Sequence, residues 1–316
     1  VKKNISTLIR ILVSFSLLGL LVWVMKDDLG KIGGTLKSVN RQIISLAMFL
    51  LLINVSMQAY RMKIIFRGED LDLTLKNSVR LTFMGYFFNN FMPTAVGGDI
   101  IKAHYASKIN GEKLKSYASV FMDRFIGLYT FLAIAAISLM FYRGDVDLPG
   151  TKPIVMGLSI LGILGYFVVT HKNVEVFLEN VFSKIKMFGL GKKLNEVYKI
   201  VHDYKNRKEV VVKSLVTSAL AQCLYFYVVS LFFLSLGKVV PLGDIVLIMP
   251  IVVLISMVPS LGGLGVREGA ILAFFTPIVG KEIAFAASLL MLAGLIFASL
   301  IGGIMYFWCN IKGEFK

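Results

Sequence analysis

"FMPTAVGGDIIKAHYASK" occupies Phe91–Lys108, and "SMVPSLGGLGVREG" occupies Ser256–Gly269. Each follows a strongly apolar stretch, holds a proline and a glycine pair, and then turns charged. Proline removes a backbone donor and stops a helix. Glycine allows sharp reversal and close backbone approach. Lipid cannot satisfy the N–H and C=O groups that such a break frees, so irregular backbone at membrane depth must be buried in protein or line a wet cavity. How the chain enters and leaves these two breaks therefore decides the fold.

The chain around them is built for lipid. Of its 316 residues, 57% are hydrophobic, more than a soluble domain of this length carries. Several windows of roughly 20 apolar residues are long enough to cross a bilayer core, and no ten-residue alternation indicates a β-barrel. Six full spans are predicted, at Ile5–Met25, Gln42–Tyr60, Ser116–Tyr142, Pro153–Thr170, Val212–Leu236 and Ile283–Trp308. Two further apolar pieces, Leu75–Met92 and Leu242–Val258, run straight into the breaks. The apolar run Ile11–Met25 is too long for a signal-peptide core, and no small-x-small site follows it, so the first span is expected to be an uncleaved anchor.

The net charge is +15. In a soluble protein this would point to nucleic acid; here it places basic loops on the cytoplasmic side, and no nucleic-acid partner is expected. Lys2, Lys3 and Arg10 put the N-terminus inside, the loop Arg61–Arg80 is inside, the basic segment Lys172–Lys213 is inside, and Lys312 and Lys316 put the C-terminus inside. The acidic Arg143–Lys152 loop lies outside. This count closes only if Leu75–Lys115 enters and leaves from the cytoplasm and Leu242–Glu282 enters and leaves from outside. The expected fold is thus an all-α polytopic membrane protein of about six spans plus two re-entrant helical hairpins. The first repeat is 5–142 and the second 153–308, with opposite topology, in a single membrane domain of 1–316. Such inverted repeats build transport sites where their half-helices meet. Eight plain spans, two of them short and kinked, are the alternative.

The connector 171–211 carries apolar residues at helical spacing: Val174, Phe177, Leu178, Val181, Phe182 and Ile185, then Leu194, Val197, Tyr198 and Val201 after the Gly189–Gly191 break. Two amphipathic helices follow, lying on anionic headgroups or packed on the spans. Cys223 and Cys309 read as packing residues, with no disulfide framework, metal site or other cofactor indicated.

The charges near the breaks need explaining. Asp99 either caps the returning helix or joins Lys102, one turn on, in a phosphate site at the helix N-terminus. Asn89 and Asn90 offer amide hydrogen bonds just before the break. Arg267 has the planar fork that suits phosphate oxygens, and Glu268 either neutralises it or caps the next helix. Two such charges in a membrane segment are costly unless paired or wet. Asp123 and Arg124 lie about 12 Å into their span at 1.5 Å per residue. They point about 100° apart and need not pair with each other. Arg124 snorkels or finds a partner, and Asp123 meets Lys102 or Arg61. Asn54, Gln58, Gln222 and Tyr225 fit interhelical hydrogen bonding. No catalytic residue is indicated.

"NNFMPTAVGGDIIKA", "MDRFIGL" (Met122–Leu128) and "VPSLGGLGVREG", in this order, resemble the transmembrane domain of lysylphosphatidylglycerol synthases. That domain also occurs alone as flippase-like membrane proteins of bacteria and archaea. Pro93, Gly97, Gly98, Asp99 and Lys102 match the first motif, and Asp123 and Arg124 the second. Pro259, Gly262, Gly263, Gly265, Arg267 and Glu268 match the third. The resemblance implies a translocator of phospholipid or related phosphate-bearing lipid in the cell membrane. With the sequence ending at Lys316, no soluble transferase domain is expected, hence no synthase activity. The competing readings are a membrane enzyme acting on lipid-linked substrates and an accessory subunit of a separately encoded lipid-modifying enzyme. Against an enzyme stands the lack of a paired-carboxylate metal motif, a Ser/His arrangement or a nucleotide loop.

Overall fold

The computed structural model describes residues 29–91, 97–141, 190–258 and 263–311, together with scattered single positions in 19–26 and 153–181. Ten α-helices and one 3₁₀ turn appear among the described residues, and no strand. They are α1 (Leu29–Lys37), α2 (Arg41–Gly68), α3 (Leu75–Phe91), α4 (Gly97–Asn110), α5 (Lys113–Phe141), α6 (Leu190–Asp203), α7 (Lys208–Ser235), α8 (Leu242–Ile255), α9 (Val266–Val279) and α10 (Lys281–Ile311). The 3₁₀ turn, Tyr204–Asn206, joins α6 to α7. The expected spans Ile5–Met25 and Pro153–Thr170 lie mostly outside the described residues, as do Pro93, Pro259 and Gly262 at the two breaks.

Four helices, α2, α5, α7 and α10, are long and apolar enough to cross a membrane. Each has 28 to 31 residues. Their starts and ends follow from local chemistry. The side chain of Asn40 accepts from the N–H groups of Gln42 (3.0 Å) and Ile43 (3.2 Å), which caps α2,. Thr74 Oγ1 accepts from the Asn77 N–H at the start of α3. Gly265, with φ +80°, turns the chain into α9 in a conformation other residues adopt only with strain,.

The other four large helices are shorter. The 17-residue α3 is about 26 Å long and the 14-residue α4, α8 and α9 about 21 Å each at 1.5 Å per residue, beside a bilayer core of about 30 Å,. They pack as pairs, α3 with α4 and α8 with α9. At the first break the Asn89 side chain accepts from the Gly98 N–H at 2.8 Å, tying the end of α3 to the start of α4. A Cβ at Gly98 would strike the Gly85 carbonyl and the Asn89 side chain, so the approach requires glycine.

The helix contacts have a regular pattern. The long helices α2 and α7 lie along each other. The pair α3–α10 has a counterpart in α8–α5, α4–α5 in α9–α10, α2–α3 in α7–α8, and α2–α5 in α7–α10. The weaker α2–α10 contact is matched by α7–α5. Even α1, just ahead of α2, rests on α10 as α6, just ahead of α7, rests on α5. Exchanging α1–α5 for α6–α10 leaves this set of contacts unchanged.

The polarity of the bundle runs opposite to that of a soluble protein. Phe49, Phe121, Ile137, Met140, Leu220 and Ile304 are exposed, whereas Asn54, Arg61, Asp99, Asp123 and Glu268 are buried. An apolar exterior around a charged centre is what lipid selects. The largest apolar cluster joins α2 and α7 to α8, α9 and α10 and includes Phe233 against Phe275, with ring centroids 4.7 Å apart.

One expectation needs correction, and two open alternatives are resolved. The helix α2 continues through Arg61 and Lys63 to Gly68, where a cytoplasmic loop from Arg61 was expected. Met62, Ile65 and Phe66 are buried there by neighbouring helices, so the helix remains covered past the end of its apolar run. Asp99 lies inside the first turn of α4, and its carboxylate is engaged by cationic side chains instead of capping the helix. Arg124 does not snorkel to the surface: it pairs with Asp99. Of the two connector helices expected, the one through Val174–Ile185 lies mostly outside the described residues, and the other is α6, with Val197, Val201 and the adjoining Tyr204 packed against α2 and α5. Burial pushes the Tyr204 phenol well above its ordinary pKa, and its hydroxyl donates to the Ile65 carbonyl at 3.0 Å.

Candidate functional site

A cavity of about 370 Å³ opens inside the bundle, and all eight of the helices α2–α5 and α7–α10 contribute to its wall or its rim. That volume falls at the lower end of the range for small-ligand sites. Six ionisable acid and base side chains line it: Arg61, Asp99, Lys102, Asp123, Arg124 and Arg267. Between them stand Asn54, Gln58, Tyr86, Asn89, Gln222 and Tyr225, over apolar Leu51, Phe131 and Leu295.

The charges are arranged in three groups. Asp99 holds Lys102 through Oδ1 (2.7 Å) and Arg124 through Oδ2, linking the start of α4 to the middle of α5. Asp123 accepts from Arg61 Nε at 2.8 Å, and the same guanidinium donates to Ser218 Oγ on α7 at 2.8 Å. Arg267 donates to Glu268 Oε1 from Nε (3.1 Å) and Nη2 (2.5 Å). Glu268 Oε2 also accepts from the Gly265 N–H at 2.6 Å, so it caps α9 and neutralises Arg267 together. Adjacent Asp123 and Arg124 reach different partners, as their 100° separation requires. Such pairing is the condition for keeping charge at this depth.

Glycines make the room. The stem of Lys102 lies across Gly85, and the guanidinium of Arg61 lies across Gly127 at a distance that a Cβ would reduce to 3.0 Å. The neutral polar groups form a chain: Gln58 Nε2 donates to Asn54 Oδ1 (2.8 Å) and lies 3.1 Å from the Tyr86 hydroxyl, and Asn54 Nδ2 donates to the Ala221 carbonyl of α7 (2.6 Å). The expected interhelical bonding is present for Asn54, Gln58 and Gln222, and these residues and Tyr225 also wall the cavity.

Of the eight candidate binding residues, Lys102, Arg267, Asn89, Asp99, Asp123 and Arg124 meet in the cavity. Asn90 and Glu268 do not line it. Asn90 turns to α10, donating to Ser299 Oγ, and Glu268 is fully buried behind Arg267. Arg61 and Tyr86 were not singled out as site residues. Arg61 sits at the edge of an apolar run, where charge counting assigns it to a loop. Tyr86 lies in a run of aromatic residues with nothing to distinguish it. The signal for Arg61 was Asp123, since a carboxylate inside a span requires a cation from another span, and Arg61 was one of the two partners expected for it.

No group of three or more potential metal-ligating side chains lies together among the described residues. What the arrangement offers is a polar, positively biased pocket inside an apolar exterior. It suits holding an anionic polar group within a membrane.

Comparison with known proteins agrees with this architecture. The chain is 27% identical to a UPF0104 membrane protein of Pyrococcus horikoshii, across 84% of this chain and 86% of that one. It is 22% identical to a UPF0104 membrane protein of Methanothermobacter thermautotrophicus, across 96% of each. A second protein of that organism with the same description is 24% identical over 70% of each. No solved structure matches the chain. The family description of the lysylphosphatidylglycerol synthase TM region matches residues 7–302, and the chain belongs to that family.

Proposed function

We propose that the protein moves a phosphate-bearing lipid between the leaflets of the cell membrane, its headgroup passing through the charged cavity while the acyl chains stay in lipid. The observation that carries this reading is the placement of Arg61, Lys102, Arg124 and Arg267 on one cavity walled by membrane-length helices. Lys102 comes from the second turn of α4 and Arg267 from the first turn of α9, so each half of the contact pattern supplies a cation to the phosphate. Asn89, Asp99, Asp123 and Arg124 orient these cations or the headgroup. Glu268 restores neutrality at Arg267 when the site is empty, and Asn90 holds α3 to α10.

The paired helix contacts fit an internal repeat, α1–α5 against α6–α10. Parallel and inverted repeats both give such a pattern, and the loop charges favour the inverted one with both termini cytoplasmic. In this reading α3–α4 and α8–α9 are re-entrant hairpins from opposite faces, and alternating access comes from one half rocking against the other.

The test is reconstitution into liposomes with a fluorescent phospholipid and a leaflet-selective quencher. Wild-type protein should equilibrate the lipid across the bilayer. Lys102→Ala and Arg267→Lys should each slow this by about tenfold or more, through loss of a phosphate contact or of its planar fork. Folded wild-type protein that leaves every lipid in its original leaflet would remove the proposal. Chemical conversion of the lipid in the same vesicles would favour a membrane enzyme, and activity that appears only beside a separately encoded enzyme would favour an accessory role.

A further inference from the structure

We infer that Gln222 and Tyr225 form a subsite for the hydroxyl groups of a polyol headgroup, beside the charged part of the cavity that takes its phosphate; this rests on the cavity being the headgroup's path. Hydrogen bonds fix the level of the charged part on three helices. Arg61 of α2 donates to Asp123 Oδ1 of α5 and to Ser218 Oγ of α7, both at 2.8 Å. One to two turns on from that level, the cavity wall is neutral on all three. There α2 presents Asn54 and Gln58, α5 presents Gly127 and Phe131, and α7 presents Gln222 and Tyr225. At 1.5 Å per residue along α5, this neutral part begins about 5 Å from the level of Arg124 and ends about 10 Å from it. A glycerol or a sugar ring esterified to a phosphate spans a distance of this order.

The groups of the neutral part match alcohols. A carboxamide and a phenol both donate and accept, as an alcohol hydroxyl does. The protein sets their orientation. Gln222 Nε2 donates to the Gly127 carbonyl at 3.4 Å, which holds the amide against α5. The Tyr225 ring packs on Phe131 and Phe226, with centroids 5.9 and 6.0 Å away. Asn54 and Gln58 are engaged in the chain that runs from Tyr86 to the Ala221 carbonyl. The Tyr225 hydroxyl, by contrast, makes no hydrogen bond among the described residues, although the residue lines the cavity. A tyrosine hydroxyl set among apolar side chains usually has a partner, and a hydroxyl-bearing ligand provides it. The Phe131 and Tyr225 rings add flat apolar surface for the carbon face of a polyol.

The experiment measures binding to the purified full chain in nanodiscs, by competition with a phosphatidylglycerol labelled on an acyl chain. Dihexanoyl phosphatidylglycerol and dihexanoyl phosphatidylpropanol are compared, two phosphodiesters of equal charge that differ only in the headgroup hydroxyls. Glycerophosphoglycerol, which lacks acyl chains, is the third competitor. Wild-type protein should bind the glycerol lipid about tenfold more tightly than the propanol lipid, the equivalent of two ordinary hydrogen bonds. Tyr225→Phe and Gln222→Leu should each weaken the glycerol lipid and bring the two within about threefold of each other. Tyr225→Phe keeps the ring and its packing, so it tests the hydroxyl even where Gln222→Leu fails to fold. Lys102→Ala should weaken both lipids by the same factor and keep the preference. Equal binding of the two lipids by wild-type protein overturns the inference, and so does a Tyr225→Phe variant that keeps the full preference. If glycerophosphoglycerol matches its acylated form, the polyol subsite stands and the ligand is a soluble phosphate ester instead of a lipid. The expected preference with no movement between leaflets overturns translocation alone; movement of both lipids with equal affinity overturns the subsite alone.

Discussion

The two halves of this molecule share a contact pattern but not a chemistry. In the first half α2, α4 and α5 place five ionisable acid and base side chains on the cavity, Arg61, Asp99, Lys102, Asp123 and Arg124. In the second half α7–α10 place one, Arg267. The manner of neutralisation differs as well. Asp99 and Asp123 are joined to partners on other helices, across 25 and 62 residues of sequence. Arg267 is joined to the next residue, Glu268. The first half holds its charges through tertiary structure. The second holds its counter-charge on the same turn of α9.

Glu268→Ala attacks the self-contained side and has the largest expected effect. The carboxylate is fully buried and serves both Arg267 and the α9 N-terminus. Its loss leaves a guanidinium unpaired in the interior, at a cost of about 3–5 kcal/mol. Unfolding in mixed micelles should show this destabilisation, with proteolytic sensitivity appearing around α9. Lys102→Gln probes the networked side. Asp99 keeps Arg124, so the cost should be only about 1 kcal/mol, although lipid handling suffers. If the two variants lose equal stability, the contrast between networked and self-contained charge is wrong.

The same contrast explains what could be read from the sequence. The second charge pair and its glycine turn lie within Gly263–Glu268, and local reasoning reached them: Glu268 caps and neutralises at once. The ends of α3 and α8 were also legible, because proline and glycine act where they stand. Arg61 was not. It follows an apolar run whose hydropathy ends at Tyr60, and its partners Asp123 and Ser218 lie 62 and 157 residues away. The extension of α2 to Gly68 depends on cover from α5 and α6, which no window of α2 contains. Asp99 was left open between a cap and a partner of Lys102, because a carboxylate in a first turn normally caps. The two cations that claim it come from one turn on and from another helix.

A third kind of carboxylate, outside the cavity, sharpens the comparison with the smallest effect. Glu69 follows the end of α2 and is 3% exposed. Arg207 Nη2 lies 3.6 Å from its Oε1, within ion-pair range but beyond a hydrogen bond, and Oε1 has no hydrogen-bond partner. Burial therefore dominates and raises its pKa above the ordinary 4.5, with Arg207 and Lys115 offsetting this only in part. The folded protein holds this proton more tightly than the unfolded chain does. The carboxyl's contribution to stability is thus fully present below about pH 4.5 and is lost as pH rises through the folded value,. Glutamine imitates the protonated form. Glu69→Gln should raise stability at pH 8 by up to about 1 kcal/mol, give no gain at acid pH, and flatten the dependence between them. Thermal unfolding of wild type and variant at both pH values checks this. A loss at pH 8 would mean that the Arg207 pair outweighs burial, and Glu69 would then belong with Asp99 and Asp123 among the carboxylates that a partner from another helix secures.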